Sequence, residues 1–89
     1  MIVEFDKSFE KSLSKLKDPV LFARIVKLID AFERAENLGD VANVKKLVGF
    51  KTYYRCRIGL YRLGFELLNE KTIRFIIIAH RKDIYTKFP

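Results

Sequence analysis

The chain is 89 residues long, which is one domain (residues 1–89), and 49% of it is apolar, enough for a core and far from a disordered composition. A lone cysteine, Cys56, excludes an internal disulfide and points to a reducing, cytoplasmic setting; the acids and lysines from Asp6 to Lys11 argue against a signal peptide, and the longest apolar run, residues 75–79, is too short for a membrane span. The net charge of +7 is uneven: residues 1–40 carry seven Lys/Arg against eight Asp/Glu, and residues 41–89 carry eleven against three.

Residues 1–5 alternate weakly and predict a short strand. Asp6 or Ser8 can then cap a helix by offering a side-chain oxygen to the free N–H groups of its first turn. Phe5, Phe9, Leu13 and Leu16 fall at helical spacing, which predicts a helix near 7–17. Asp18-Pro19 is a second start signal, because Asp suits the N-cap and Pro the first helical position. From there Leu21, Ile25, Leu28, Ile29 and Phe32 line one face of a helix near 19–37, expected to end at Asn37-Leu38-Gly39 through a left-handed cap.

Beyond residue 40 the period falls to two. Tyr54, Cys56 and Ile58 alternate with Tyr53, Arg55 and Arg57. Gly59-Leu60 reads as a hairpin connection to a strand over 61–68, Asn69-Glu70 as the next turn. Residues 72–79 form a strand apolar on both faces and therefore internal to the sheet. Residues 82–88 predict a last short helix. The plan is α+β: two N-terminal helices packed on one face of a small, mostly antiparallel sheet.

Six cations, Lys45, Lys46, Lys51, Arg55, Arg57 and Arg62, lie between Val41 and Phe65 without one acid, which points to an anionic partner. If Tyr54, Cys56 and Ile58 face the helices, Arg55 and Arg57 face away. Arg62 alternates with Leu63 and Phe65 and joins them. Arginine's planar fork suits phosphate oxygens. A solvated sheet face with scattered charges is the common alternative, and the scarcity of acids nearby, Glu66 aside, argues against it. Tyr53 shares the face of Arg55 and could stack a base.

Four motifs in order, Lys46-Leu47-Val48-Gly49, Tyr54-Arg55-Cys56-Arg57, Tyr61-Arg62-Leu63 and His80-Arg81-Lys82-Asp83-Ile84-Tyr85, make the whole chain resemble the RelE/ParE toxin superfamily. That resemblance implies a RelE-like fold and a toxin of a type II toxin–antitoxin system. RelE-like toxins cleave messenger RNA on the ribosome and are held inactive by a co-encoded antitoxin, through which alone operator DNA is reached. Carried over by motif, Arg62, Arg81, His80 and Tyr85 are the catalytic candidates. Lys45, Lys46, Lys51, Tyr53, Arg55 and Arg57 are the RNA- and phosphate-binding ones. The chemistry implied is metal-free attack by the neighbouring 2′-hydroxyl. It requires removal of the 2′-OH proton, stabilisation of the phosphorane and protonation of the departing 5′-oxygen.

Arg55 and Arg57 depart from the best-known pattern, which has lysines there. Arginine effectively never loses its proton, so they read as phosphate clamps. Proton transfer then falls to His80 or Tyr85, with Glu66 a weaker candidate base. His80 could equally be a satisfied strand-end residue. Cys56, among the inward residues, reads as a buried structural thiol. One Cys and one His make no zinc site, and no Gly-rich loop follows a strand, so no cofactor is expected. Two other functions share the fold: a ParE-like inhibitor of DNA gyrase without a catalytic site, and an inactive relative that only pairs with its antitoxin.

Overall fold

The computed structural model describes residues 1–89. Strand β1 (Ile2–Phe5) is followed by helices α1 (Lys7–Ser14) and α2 (Pro19–Arg34). Then come β2 (Val44–Lys46), β3 (Tyr53–Ile58), β4 (Tyr61–Asn69), β5 (Thr72–His80) and the one-turn helix α3 (Ile84–Lys87). Both predicted helix starts are found. Asp6 caps α1 by accepting the Ser8 N–H at 3.0 Å, and Asp18 caps α2 by accepting from Val20 and Leu21 at 3.0 and 3.1 Å.

Both helices are shorter than expected. α2 stops at Arg34 and not at Asn37, because a distant group takes up its last carbonyls. The Met1 ammonium donates to the oxygens of Phe32 and Ala35 at 2.9 and 2.7 Å. A cation at the C-terminal end of a helix also suits the helix dipole. Asn37 caps a separate 3-10 turn over Leu38–Asp40, and no left-handed glycine is needed there.

The five strands form one sheet in the order β1-β5-β4-β3-β2, parallel at β1–β5 and antiparallel elsewhere. β5 is internal, as its apolar run predicts. β2 is a three-residue edge strand that the sequence pattern does not single out. α1 and α2 cover one face. Phe9, Leu21, Ile25 and Phe32 from the helices meet Cys56, Leu63, Phe65, Ile73 and Phe75 from the sheet. Phe32 sits edge-on to Phe65 and Phe75, with ring centres 5.2 and 5.7 Å away. Truncation of such a buried Phe costs ~3–5 kcal/mol.

A second, smaller core lies on the opposite, open face, where Leu47, Ala79, Ile84 and Phe88 pack together. The Phe88 ring lies on Gly64: a Cβ there would come within 2.7 Å of Phe88 Cδ2. Glycine at 64 is therefore what lets the C-terminal segment lie flat on the sheet.

Candidate phosphate-binding site

On β3 the alternation works as the pattern predicts. Cys56 and Ile58 are buried beneath the helices, and Arg55 and Arg57 point to the open face. β4 adds Arg62, which pairs directly with Arg57, while Arg55 pairs with Gly64. Like charges placed directly opposite destabilise a sheet. Neutral oxygens hold these two in place. Arg62 Nη1 donates to the carbonyls of Gly59 and Tyr61 at 2.9 and 2.8 Å, and Arg57 Nη2 donates to Asn43 Oδ1 at 3.1 Å. Sequence reasoning missed Asn43. It takes a left-handed conformation, φ 65°, which asparagine tolerates better than most residues, and that tolerance was the available signal.

Arg81, in the turn after β5, and Tyr85, on α3, complete the cluster around Arg62. Burial above all, then the charge of Arg55, and further those of Arg57 and Arg81, hold the Arg62 guanidinium below its ordinary range; Tyr85 acts in the opposite sense. None of these four arginines has a carboxylate within salt-bridge distance. By contrast Arg74, on the same face further along the sheet, is bound to Glu4 at 3.1 Å. The uncompensated cations are therefore segregated at one end of the open face. A bound anion would satisfy several forks at once.

Two adjoining grooves reach this cluster. One, of about 420 Å³, is lined by Asn43, Val44, Lys45, Arg55, Arg57 and Arg62. The other, of about 700 Å³, runs between the β2–β3 loop and the C-terminal segment, past Phe50, Tyr85 and Phe88. Lys45 and Arg55 belong to both. Tyr85 is 61% exposed, so its hydroxyl is free to reach a ligand.

Several predicted residues lie elsewhere. His80 is on the helix-side face, not with the arginines. A bulge at Ile76 is the reason: Gly64 pairs with Ile77 but Phe65 pairs with Phe75. One extra residue inverts the alternation beyond it, so Ile78 and His80 turn to the helix side and Ala79 to the open side. His80 pairs with Tyr61, meets its ring edge-on at 5.8 Å, and accepts the Lys82 N–H on Nδ1 at 3.2 Å. It thus stands at the strand end with Nδ1 engaged by the backbone, facing the groove between α1 and β5.

Tyr53 is on the open face and half-buried, its ring in T-shaped contact with those of Phe50 and Phe88 at 5.7 and 5.5 Å. Lys45 pairs with Arg55 and shares its face, whereas Lys46 pairs with Tyr54 at the alternate position and lines only the larger groove. Lys51 is exposed and lines neither groove. Glu66 pairs with Tyr53 and Arg74, and the ring of Phe88 over Gly64 separates it from Arg62. The Cys56 thiol is buried, donates weakly to the Ala42 carbonyl at 3.7 Å, and is pushed up by burial to about 11. It is a packing residue and not a nucleophile.

Residues 3–85 match the family model described as the ParE toxin of the type II toxin–antitoxin system parDE. Toxin RelE3 of Methanocaldococcus jannaschii is 39% identical over 90 aligned positions, which cover the whole of both chains. The RelB–RelE antitoxin–toxin complex from Methanococcus jannaschii contains a chain of similar structure. Its TM-score is 0.80 at 36% identity, over 97% of this chain and 99% of that one. The archaeal RelE–RelB complex from Pyrococcus horikoshii gives 0.72 at 24% identity, over 93% and 97%, a likeness of fold alone.

Proposed function

The chain belongs to the ParE toxin family of type II toxin–antitoxin systems, and from that premise we propose that it is a ribosome-dependent endoribonuclease that cuts messenger RNA in the cytoplasm without a metal. The observation that carries this reading is the cluster of Arg55, Arg57, Arg62 and Arg81, free of carboxylates, beside an exposed Tyr85.

In this reading the scissile phosphate sits on the arginines, with Arg55 and Arg57 gripping its oxygens and those of its neighbours. The 2′-oxygen attacks phosphorus and its proton leaves to water. Arg62 and Arg81 stabilise the added charge of the phosphorane, Arg62 being held ready by its bonds to the Gly59 and Tyr61 carbonyls. The bond from phosphorus to the 5′-oxygen then breaks, and Tyr85 donates a proton to that oxygen and regains one from solvent. The products are a 2′,3′-cyclic phosphate and a free 5′-hydroxyl. A phenol hydroxyl carries a proton it can donate, which suits Tyr85 to the role of acid.

The partner implied by the relatives is a cognate antitoxin, and charge complementarity favours an acidic segment laid over residues 41–89. Operator DNA is reached only through that complex. A second reading is favoured by one observation, the match to a ParE toxin model: inhibition of DNA gyrase by surface occupation. Induction of the chain alone in cells separates the two. Translation arrest with cleaved messages supports the nuclease, and DNA-damage signalling with intact messages supports the inhibitor.

A further inference from the structure

Lysines 7 and 11 of α1 and its C-cap Lys15, which keeps right-handed helical dihedrals, recur every four residues, so they lie on one side of the helix, and all are exposed. α1 runs along the part of β5 that β1 does not cover. It covers that edge with side chains: the Ser8 hydroxyl donates to the Ile76 carbonyl, and Ser12 Oγ accepts the Ile78 N–H at 3.0 Å. The two elements enclose a groove of about 410 Å³ whose charged rim includes Lys11, Lys15 and Lys87, with Asp83 the single acid. None of these lysines takes part in a salt bridge. Arg81 and Lys82, both exposed, lie in the turn that joins β5 to α3, between this groove and the arginine cluster.

We infer that the α1–β5 groove is a second phosphate-binding surface, which holds the RNA backbone away from the cut through Lys11, Lys15 and Lys87. The inference rests on RNA being the substrate. Flexible lysines suit it. A point charge on a long stem neutralises a backbone phosphate without fixing its geometry, whereas the planar forks across the sheet suit the reacting one. The turn carrying Arg81 and Lys82 makes the basic path continuous around the end of β5. The site therefore divides labour: arginines at the reacting phosphate, lysines on the flanking strand.

The test uses the full chain and a single-stranded RNA with 2′-O-methyl groups, which binds but cannot react. Affinity is measured against salt for the wild type, for Lys11→Gln/Lys15→Gln/Lys87→Gln, and for the matching triple arginine variant. A single strand loses ~0.7 in the log–log salt slope per phosphate contact removed, so the glutamine variant should lose about 2. The arginine variant should restore it. With a ribosome-bound cleavable message, the glutamine variant should raise KM and leave the rate at saturation unchanged. A salt slope equal to the wild type in the glutamine variant overturns the inference. Failure of the wild type to bind RNA at all would bring down the RNA reading with it. If RNA binding is unchanged while binding of an acidic antitoxin peptide falls, the groove is a protein-docking surface and the inference is wrong.

Discussion

Arg57 and Arg62 face each other directly across the β3–β4 hairpin, and no carboxylate lies within reach of either. A cross-strand pair of like charge opposes folding, by an amount within the ~0.2–1 kcal/mol range of such pairs. Arg57 is the more exposed partner and holds only Asn43. Arg57→Gln should therefore stabilise the fold by up to ~1 kcal/mol in urea titrations while weakening RNA binding. Inorganic phosphate should raise the wild-type midpoint more than the variant's, because an anion bound only by the folded state stabilises it. A loss of stability in Arg57→Gln would mean that its bond to Asn43 outweighs the repulsion.

What the sequence made legible was local. The helix starts follow from Asp6, Asp18 and Pro19. The common face of Arg55, Arg57 and Arg62 follows from strict alternation around Cys56, Leu63 and Phe65. What it concealed was set by distant contacts or by uniform composition. The end of α2 depends on Met1, more than thirty residues away. The seat of Phe88 depends on an absent side chain at Gly64. The bulge in β5 falls inside residues 75–79, which are all apolar. Alternation carries no information about facing there, and no Gly or Pro marks the extra residue. For that reason His80 could be put beside the arginines on motif alone.

The displacement of His80 has a direct consequence for kinetics. Its ring is turned to the helix side against Tyr61, and Ala79 occupies the position beside Arg62. His80→Gln should leave the cleavage rate within about threefold of wild type, far from the ~10²-fold cost of losing a group that acts on the transition state. Single-turnover cleavage of a ribosome-bound message is the measurement. A hundredfold loss, with the fold intact by circular dichroism, would return the histidine to the mechanism.

Cys56 predicts a pH dependence of stability at the alkaline end. Its thiol has an ordinary value of 9.0 and is pushed up to about 11 in the fold, by burial first and against the opposing charges of Arg55 and Arg62. A raised folded value means that the unfolded chain releases this proton first. The contribution is therefore fully present below pH 9 and declines as pH rises towards 11, at ~1.4 kcal/mol per pH unit at most. Cys56→Ala should lose that decline while keeping whatever other groups contribute, so the difference between the two curves is the readout. In parallel, a thiol reagent at pH 8 should label the folded wild type slowly and the denatured chain at once. Rapid labelling of the folded protein would contradict the burial of the thiol.

Arg62 separates the nuclease from the inhibitor. It is the one arginine of the cluster with its Nη1 anchored twice, to the carbonyls of Gly59 and Tyr61. Burial and its arginine neighbours disfavour its charge. Such a cation gains most when a phosphorane adds negative charge beside it, and it need not move to do so. Arg62→Ala should then cost on the order of 10²-fold or more in cleavage. Arg62→Lys should recover only part of that, since it keeps the charge but cannot hold two carbonyls and a phosphate oxygen in one plane. Binding of uncleavable RNA should fall far less than the rate in both variants, because the remaining cations still neutralise the backbone. Tyr85→Phe should slow cleavage as well, and a leaving group more acidic than the natural 5′-hydroxyl should restore that variant but not Arg62→Ala. Full toxicity of Arg62→Ala and Tyr85→Phe in cells, with messages uncut, would remove the nuclease reading. Gyrase inhibition would then lead, because a protein that acts by covering a surface does not depend on a guanidinium placed to meet a transition state.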